Sequence, residues 1–263
     1  MLFRRALVSF CLLFGCFVYA AEGANLHAIL VVDTNAYDLR EAMISNYWCW
    51  QIQLKSIARH SDLDLKTYIF KDDRANSNFI DELRGLSVDS DDVILFYWSG
   101  HGFRTNEKDA SDNPWPSFSF NGESVGFDLA ELTGFLNGMH PRLLISIADT
   151  CNNYIPDLFA PPIMSIKKMQ KMDVPPALKS NHYRLFRESS GVIMAAGCQP
   201  GQYAWAYIPI GSIFTLSFMD ALNDLTASSD DISWELIFQT TLKNLVDYEP
   251  PDEQTPVIDI NLK

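Results

Sequence analysis

The chain contains 263 residues, which is enough for one large domain with its own hydrophobic core. Asp and Glu outnumber Lys and Arg by 33 to 20, so the formal net charge is −13. This acidity argues against binding to nucleic acid or to anionic membranes, because contacts with phosphate groups require clustered Lys and Arg. An acidic surface weakly favours basic substrates instead.

The amino terminus, residues 1–20, is predicted to be a secretory signal peptide. Arg4 and Arg5 precede an almost wholly apolar stretch, residues 6–19, which is short for a membrane span. Small residues follow at the usual cleavage spacing, so residues 21–263 form the predicted mature domain, without a membrane span. The expected location is secreted or periplasmic. An uncleaved anchor is one alternative, and a lipoprotein is a minor one.

The remaining chain alternates between apolar stretches, which are typical of buried strands, and stretches with helical spacing. The predicted strands are residues 27–33, 65–70, 93–98, 142–148 and 191–196. The predicted helices are residues 38–59, 75–86, 127–137, 212–223 and 232–246. This alternation implies right-handed crossovers, and it predicts an α/β three-layer sandwich with a mostly parallel central sheet.

Residues 152–187 interrupt the alternation. The segment contains five prolines and six Lys or Arg residues, and prolines at this density prevent a long helix or a central strand. One interpretation is an ordered loop that covers the sheet edge. The other is an active-site loop or a cleavable linker between a larger and a smaller part of the domain.

Three cysteines remain after the predicted leader, and they differ in their surroundings. Cys49 lies in a helical, aromatic-rich stretch and Cys198 follows a strand, so we expect both to pack as small hydrophobic residues. Cys151 follows an apolar strand and has polar neighbours. It is therefore the candidate for a reactive thiol.

Two predicted strands end in residues that could perform nucleophilic chemistry. The strand at 93–98 is followed by Ser-Gly-His-Gly, which places His101 just beyond its end, and the strand at 142–148 is followed by Cys151. Neighbouring parallel strands would bring the imidazole and the thiol together at the carboxyl edge of the sheet. A thiol needs a nearby base to react near neutral pH, so His101 and Cys151 form a candidate catalytic dyad.

These motifs resemble those of a known superfamily, the caspase-like cysteine peptidases. Residues 97–102, Tyr-Trp-Ser-Gly-His-Gly, resemble the histidine motif, and residues 149–151, Asp-Thr-Cys, resemble the cysteine motif. Residues 192–197 with 203–205, and residues 254–256, are weaker similarities. The resemblance implies a caspase-like fold and a cysteine endopeptidase that cleaves a peptide or protein substrate, without a metal or an organic cofactor.

The resemblance also implies roles for further residues. The backbone N–H groups of Gly102 and Cys151 would face the oxyanion that develops during attack. The family counterpart of Asp149 binds a basic side chain before the cleaved bond, although Asp149 could instead cap local backbone N–H groups. Trp205 could line a substrate groove, or it could belong to the core.

Two departures from the family pattern support a second hypothesis. Cys151 is followed by Asn-Asn-Tyr, where metacaspases usually have His-Ser-Gly. Asn46 lies near the position where metacaspases place a second pocket aspartate, and it carries no charge. The alternative function is therefore a catalytically silent caspase-like module that binds a protein partner.

Overall fold

A computed structural model describes residues 23–120, 126–154, 163–165, 178–228 and 231–263. The predicted signal peptide lies outside the described residues, and so does most of the proline-rich segment 152–187. Within the described residues, no helix is both long enough and apolar enough to cross a bilayer.

The chain alternates between strands and helices, as its sequence pattern predicts. In order, the elements are β1 (Asn25–Val32), α1 (Arg40–Ser61), β2 (Asp64–Lys71), α2 (Phe79–Leu83), β3 (Val93–Ser99), β4 (Gly102–Phe103), α3 (Glu107–Ala110), β5 (Ser117–Phe118), α4 (Leu129–Asn137), β6 (Leu143–Asp149), β7 (Ile163–Ser165), α5 (Lys179–Tyr183), β8 (Gly191–Ala196), β9 (Ala206–Ile208), β10 (Gly211–Ser212), α6 (Ile213–Ala227), α7 (Trp234–Asp247) and β11 (Val257–Leu262).

Six of these strands form the central sheet, in the order β11-β8-β6-β3-β1-β2. All neighbouring pairs are parallel except β8 with β11, which is antiparallel. The strands predicted to carry the histidine and the cysteine, β3 and β6, are direct neighbours. The sequence-based prediction of an α/β fold with a mostly parallel sheet is confirmed.

Helices cover both faces of this sheet and create two hydrophobic cores. Tyr97 of β3 packs in the core beneath α1, α6 and α7 against Trp50, which in turn stacks on Phe218. Trp98, the next residue along the strand, points to the opposite core, which α2 and α4 cover. Because successive side chains of a strand alternate between faces, an apolar run such as β3 is buried on both sides.

Besides the short elements, α2 and β11 differ from the sequence-based prediction. The helix predicted over residues 75–86 is reduced to α2, because the Asn76 side chain donates to the Asp73 carbonyl and accepts from the Asn78 N–H. Such local side-chain bonds compete with helix formation. The edge strand β11 was not predicted. Its residues alternate between exposed and partly buried, since only one face packs against the core.

Residues 178–188 connect the proline-rich segment to β8. Helix α5 continues directly into a π-helical turn, Arg184–Glu188, which precedes β8. The prediction excluded a long helix or central strand from this segment, and among the described residues only these short elements and β7 occur in it.

Candidate active site

The register of β3 and β6 brings the two sequence motifs to the same sheet edge. Ser99, the last residue of β3, lies opposite Asp149, the last residue of β6. His101 and Cys151 each follow two residues later. Beyond the strands, the Thr150 hydroxyl donates to the Gly100 carbonyl at 2.8 Å. The loops that carry the imidazole and the thiol therefore remain in contact past the end of the sheet.

Gly102 packs closely against the loop that carries the cysteine. A Cβ atom at this position would lie 2.3 Å from Thr150 Oγ1 and 2.6 Å from the Cys151 carbonyl oxygen. Real Cβ contacts are much longer, so any larger residue would force the loops apart. The predicted oxyanion residues, Gly102 and Cys151, are thus adjacent, and glycine is required here by the close approach of the backbone.

His101 is nearly buried, and its ring contacts a carboxylate. His101 Nε2 lies 3.1 Å from Asp38 Oδ1, and the exposed fractions of the two side chains are 10% and 27%. Asp38 belongs to the turn between β1 and α1. Sequence analysis did not identify this residue, since it lies 63 positions from His101 and in no recognised motif.

The Cys151 thiol is held in its neutral form by its surroundings. Burial raises the pKa of the Cys151 thiol to about 12, and the negative charges of Asp149 and Asp38 add to this effect. The backbone N–H of Ala204 acts in the opposite direction by hydrogen bonding to the sulfur. A reactive thiolate at neutral pH therefore requires a partner that takes the proton.

Asp149 lies beneath the site and contacts the amino terminus of α6. Its Oδ2 accepts hydrogen bonds from both the backbone N–H, at 2.9 Å, and the hydroxyl of Thr215. Burial raises the pKa of Asp149 to about 6, although the Thr215 bonds oppose this shift. The other oxygen, Oδ1, is buried and accepts no hydrogen bond from the described residues. The carboxylate thus caps a helix while one oxygen stays available.

Asn46 joins the same buried network. Its side-chain amide donates to Ser99 Oγ at 2.9 Å and to Ser212 Oγ at 2.7 Å, and its oxygen accepts from the Ser212 N–H. The Ser212 hydroxyl in turn lowers the pKa of Asp149 by hydrogen bonding. Asn46, which lies near the position where metacaspases place a second pocket aspartate, therefore connects through Ser212 to Asp149.

Trp205 lies on a loop, where it follows Ala204, whose backbone N–H bonds the Cys151 sulfur. Its indole packs against the α1–α6–α7 core and stands 6.1 Å from the Tyr203 ring, measured between centroids. Gln254 anchors this loop by accepting from the Trp205 N–H and donating to the Gly197 carbonyl, both at 2.9 Å. Gln254 belongs to residues 254–256, one of the weaker family similarities, and its two hydrogen bonds support the loop.

Cys198 has the structural role expected from its sequence. It is fully buried, and its thiol donates to the carbonyls of Thr150 and Gln202 at 3.4 and 3.3 Å. Burial raises its pKa well above the ordinary value. Across the part of the chain that the structure describes, no three His, Cys, Asp or Glu side chains are arranged to hold a metal ion.

Comparison with protein families identifies the class of protein that carries this site. Residues 10–262 match the family model of the caspase domain, a peptidase family. Since this match covers nearly the whole chain, the protein belongs to the caspase domain family, and the resemblance seen in the two motifs is confirmed. No curated protein matches the sequence.

Proposed function

We propose that this member of the caspase domain family is an active cysteine endopeptidase that uses Cys151 as nucleophile and His101 as proton carrier. Family membership supports a peptidase that acts on peptides or proteins. The observation that carries the finer proposal is the placement of both motifs at paired strand ends, with Gly102 packed against Cys151.

In the proposed mechanism, the thiol proton passes to the His101 imidazole as Sγ attacks the peptide carbonyl carbon. The π electron pair moves to the carbonyl oxygen, where the N–H groups of Gly102 and Cys151 stabilise the charge. Collapse of this intermediate breaks the C–N bond, and the imidazolium protonates the departing amine. Water then attacks the thioester, which releases the acid and restores the thiol.

We propose further that the residue before the cleaved bond is basic. The support is Asp149 Oδ1, a buried carboxylate oxygen to which the described residues donate no hydrogen bond, together with the net charge of −13. A guanidinium or ammonium group would lower the energy of such an oxygen by pairing with it. Trp205 is the proposed wall of the adjoining groove. The predicted signal peptide, residues 1–20, supports a secreted or periplasmic location.

One set of contacts favours the alternative, a silent module that binds a protein partner. Asn46, Ser99 and Ser212 satisfy each other's hydrogen bonds beside Asp149, and Thr215 already occupies one carboxylate oxygen. A pocket whose polar groups already bond each other has fewer hydrogen-bonding groups left for a substrate than a pocket whose groups are free.

Labelling of the thiol by peptide probes distinguishes the two functions. Thiol-reactive peptidyl ketones with Arg, Lys or Asp beside the reactive group should label the wild type, with Arg or Lys preferred. Cys151→Ala should abolish labelling, and Cys49→Ala should not, because Cys49 is a partly exposed cysteine of α1 that belongs to neither motif. His101→Ala should abolish peptide turnover. Labelling that survives Cys151→Ala would refute the proposal, and a wild type inert towards every probe would support the silent module.

A further inference from the structure

The contact between Asp38 and His101 determines which ring nitrogen can act as a base. A carboxylate only accepts hydrogen bonds, so His101 Nε2, 3.1 Å from Asp38 Oδ1, must carry a proton. A neutral imidazole has a single N–H, which leaves Nδ1 as the acceptor. We propose that Asp38 is a positioning residue of the catalytic centre, which fixes this tautomer and directs Nδ1 to the Cys151 thiol. This inference rests on the proposed peptidase function.

The turn that carries Asp38 is built to hold its position. Asp33 Oδ1 accepts the backbone N–H groups of Asn35 and Ala36, at 3.2 and 3.1 Å, and the Leu39 N–H donates to the Ala36 carbonyl. The Asp33 N–H also donates to the Ser99 carbonyl at 2.8 Å, which ties the turn to the end of β3. Asp38 and His101 therefore lie on adjacent loops that are joined by this hydrogen bond.

Asp33 is the other carboxylate near the imidazole, and its role is different. It is buried, it interacts electrostatically with His101, and it shapes the turn through its backbone hydrogen bonds. Asp38 is only partly buried and makes the direct contact with the ring. Of these two neighbouring carboxylates, Asp38 is thus the one placed to determine the position of the imidazole proton.

In the proposed step, Asp38 stabilises the charge that appears on the ring. The thiol proton moves from Sγ to Nδ1, which yields a thiolate and an imidazolium whose second N–H still faces Asp38. The same proton later leaves Nδ1 for the amine nitrogen as the C–N bond breaks, and the ring returns to its original tautomer. The carboxylate remains ionised throughout and transfers no proton.

Two physical effects of Asp38 on Cys151 have opposite signs, and this makes the inference testable. The negative charge of Asp38 raises the pKa of the thiol, the smallest of the four influences on that group. If Asp38 acted only through its negative charge, its removal would lower the pKa of the thiol and make the thiol more reactive. If Asp38 acts through His101, its removal makes the thiol less reactive, because the imidazolium at contact distance loses its partner.

The experiment compares Asp38→Asn and Asp38→Glu with the control Asp73→Asn. Asp73 lies on a neighbouring loop of the same sheet edge and bonds the exposed Asn35 side chain, so the control removes an equal charge without touching His101. The first readout is the rate at which iodoacetamide alkylates Cys151 at neutral pH, which requires no turnover. The second is the separate measurement of kcat and KM on a labelled peptide. Thermal unfolding verifies that each variant folds.

For Asp38→Asn we expect the alkylation rate and kcat to fall about 10- to 100-fold, with KM unchanged. This is less than the loss of about 10⁴ when a serine-protease triad loses its aspartate, because Asp38 is partly exposed and a thiol is the stronger nucleophile. Asp38→Glu should recover part of the loss, and Asp73→Asn should match the wild type. An unchanged or faster alkylation of Asp38→Asn would overturn the inference. If Asp38→Asn slows alkylation but the wild type cleaves no peptide, the inference about Asp38 stands and only the proposed peptidase function is rejected.

Discussion

At the scale of single residues, Asp149 shows one of the two roles that sequence analysis left as alternatives. The capping role is visible in the bonds from Thr215 to Oδ2, and the substrate role remains a proposal for Oδ1. A carboxylate with a pKa raised to about 6 by burial is ionised at neutral pH, but it is within reach of protonation in mildly acidic solution. Recognition of a basic side chain should therefore depend on pH.

We expect KM for a peptide with Arg before the cleaved bond to rise about tenfold between pH 7 and pH 5. Over this range the ionised fraction of Asp149 falls from nearly all to about one tenth, and only the ionised form attracts a guanidinium. The matched control is the same peptide with citrulline, which has the shape of Arg without its charge. If the ratio of the two KM values does not change with pH, Asp149 is not the cation partner.

At the scale of secondary-structure elements, helix α5 depends on a buried histidine. His182 is fully buried where α5 packs against α1, with its ring centroid 5.1 Å from that of His60 and 6.2 Å from that of Phe186. Burial, followed by the repulsion of His60, lowers the pKa of His182 to about 4. Since an unfolded histidine titrates near 6.5, the unfolded chain binds more protons between these values, and stability is lost as the pH falls through this window.

Lowering the pH from 7.5 to 5 should therefore reduce the free energy of unfolding by about 2 kcal/mol through His182 alone. His182→Phe keeps an aromatic ring in the site and should remove this component, so that the variant loses less stability on acidification than the wild type. Urea unfolding at the two pH values measures the difference. His140→Asn is the control: His140 is exposed with a positive φ angle, which Asn tolerates. Equal losses in His182→Phe and wild type would contradict the assignment.

Much of the fold could be predicted from local patterns, because the buried strands are continuous apolar runs and the long helices have a clear period. The predicted strand at 93–98 agrees with β3 to within one residue for this reason. The contacts that complete the site were not predictable in this way. Asp38 meets His101 across 63 positions and Asn46 meets Ser212 across 166, so their partners are determined by tertiary structure alone.

At the scale of the whole molecule, the proposed basic specificity has a consequence for the protein's own proline-rich segment. Peptidases bind their substrates in an extended form, so residues within a docked helix resist cleavage. Lys179 begins α5 and pairs with Asp62. Arg184, which begins the π-helical turn, pairs with Asp231. Lys167, Lys168 and Lys171 lie outside the described residues.

We expect self-cleavage to occur after Lys167, Lys168 or Lys171, and not after Lys179, Arg184 or Arg187. Intact-mass analysis of the wild type during incubation should show fragments with these ends. The Cys151→Ala variant should remain whole, and so should a variant with Gln at all three lysines. Fragments that end at Arg184 would show instead that α5 opens readily.

The pairing of β6 with β8 decides what such a cleavage would do to the molecule. Six residue pairs, from Leu143 with Gly191 to Ala148 with Ala196, join the strands on either side of the segment, and β11 is bound to β8 in turn. The two fragments would migrate separately under denaturing conditions and elute as one particle in native buffer. Neither has a complete core without the other, so their dissociation and their unfolding would be a single event. The thermal midpoint of the cut protein would then increase with its concentration, while that of the uncut chain would not.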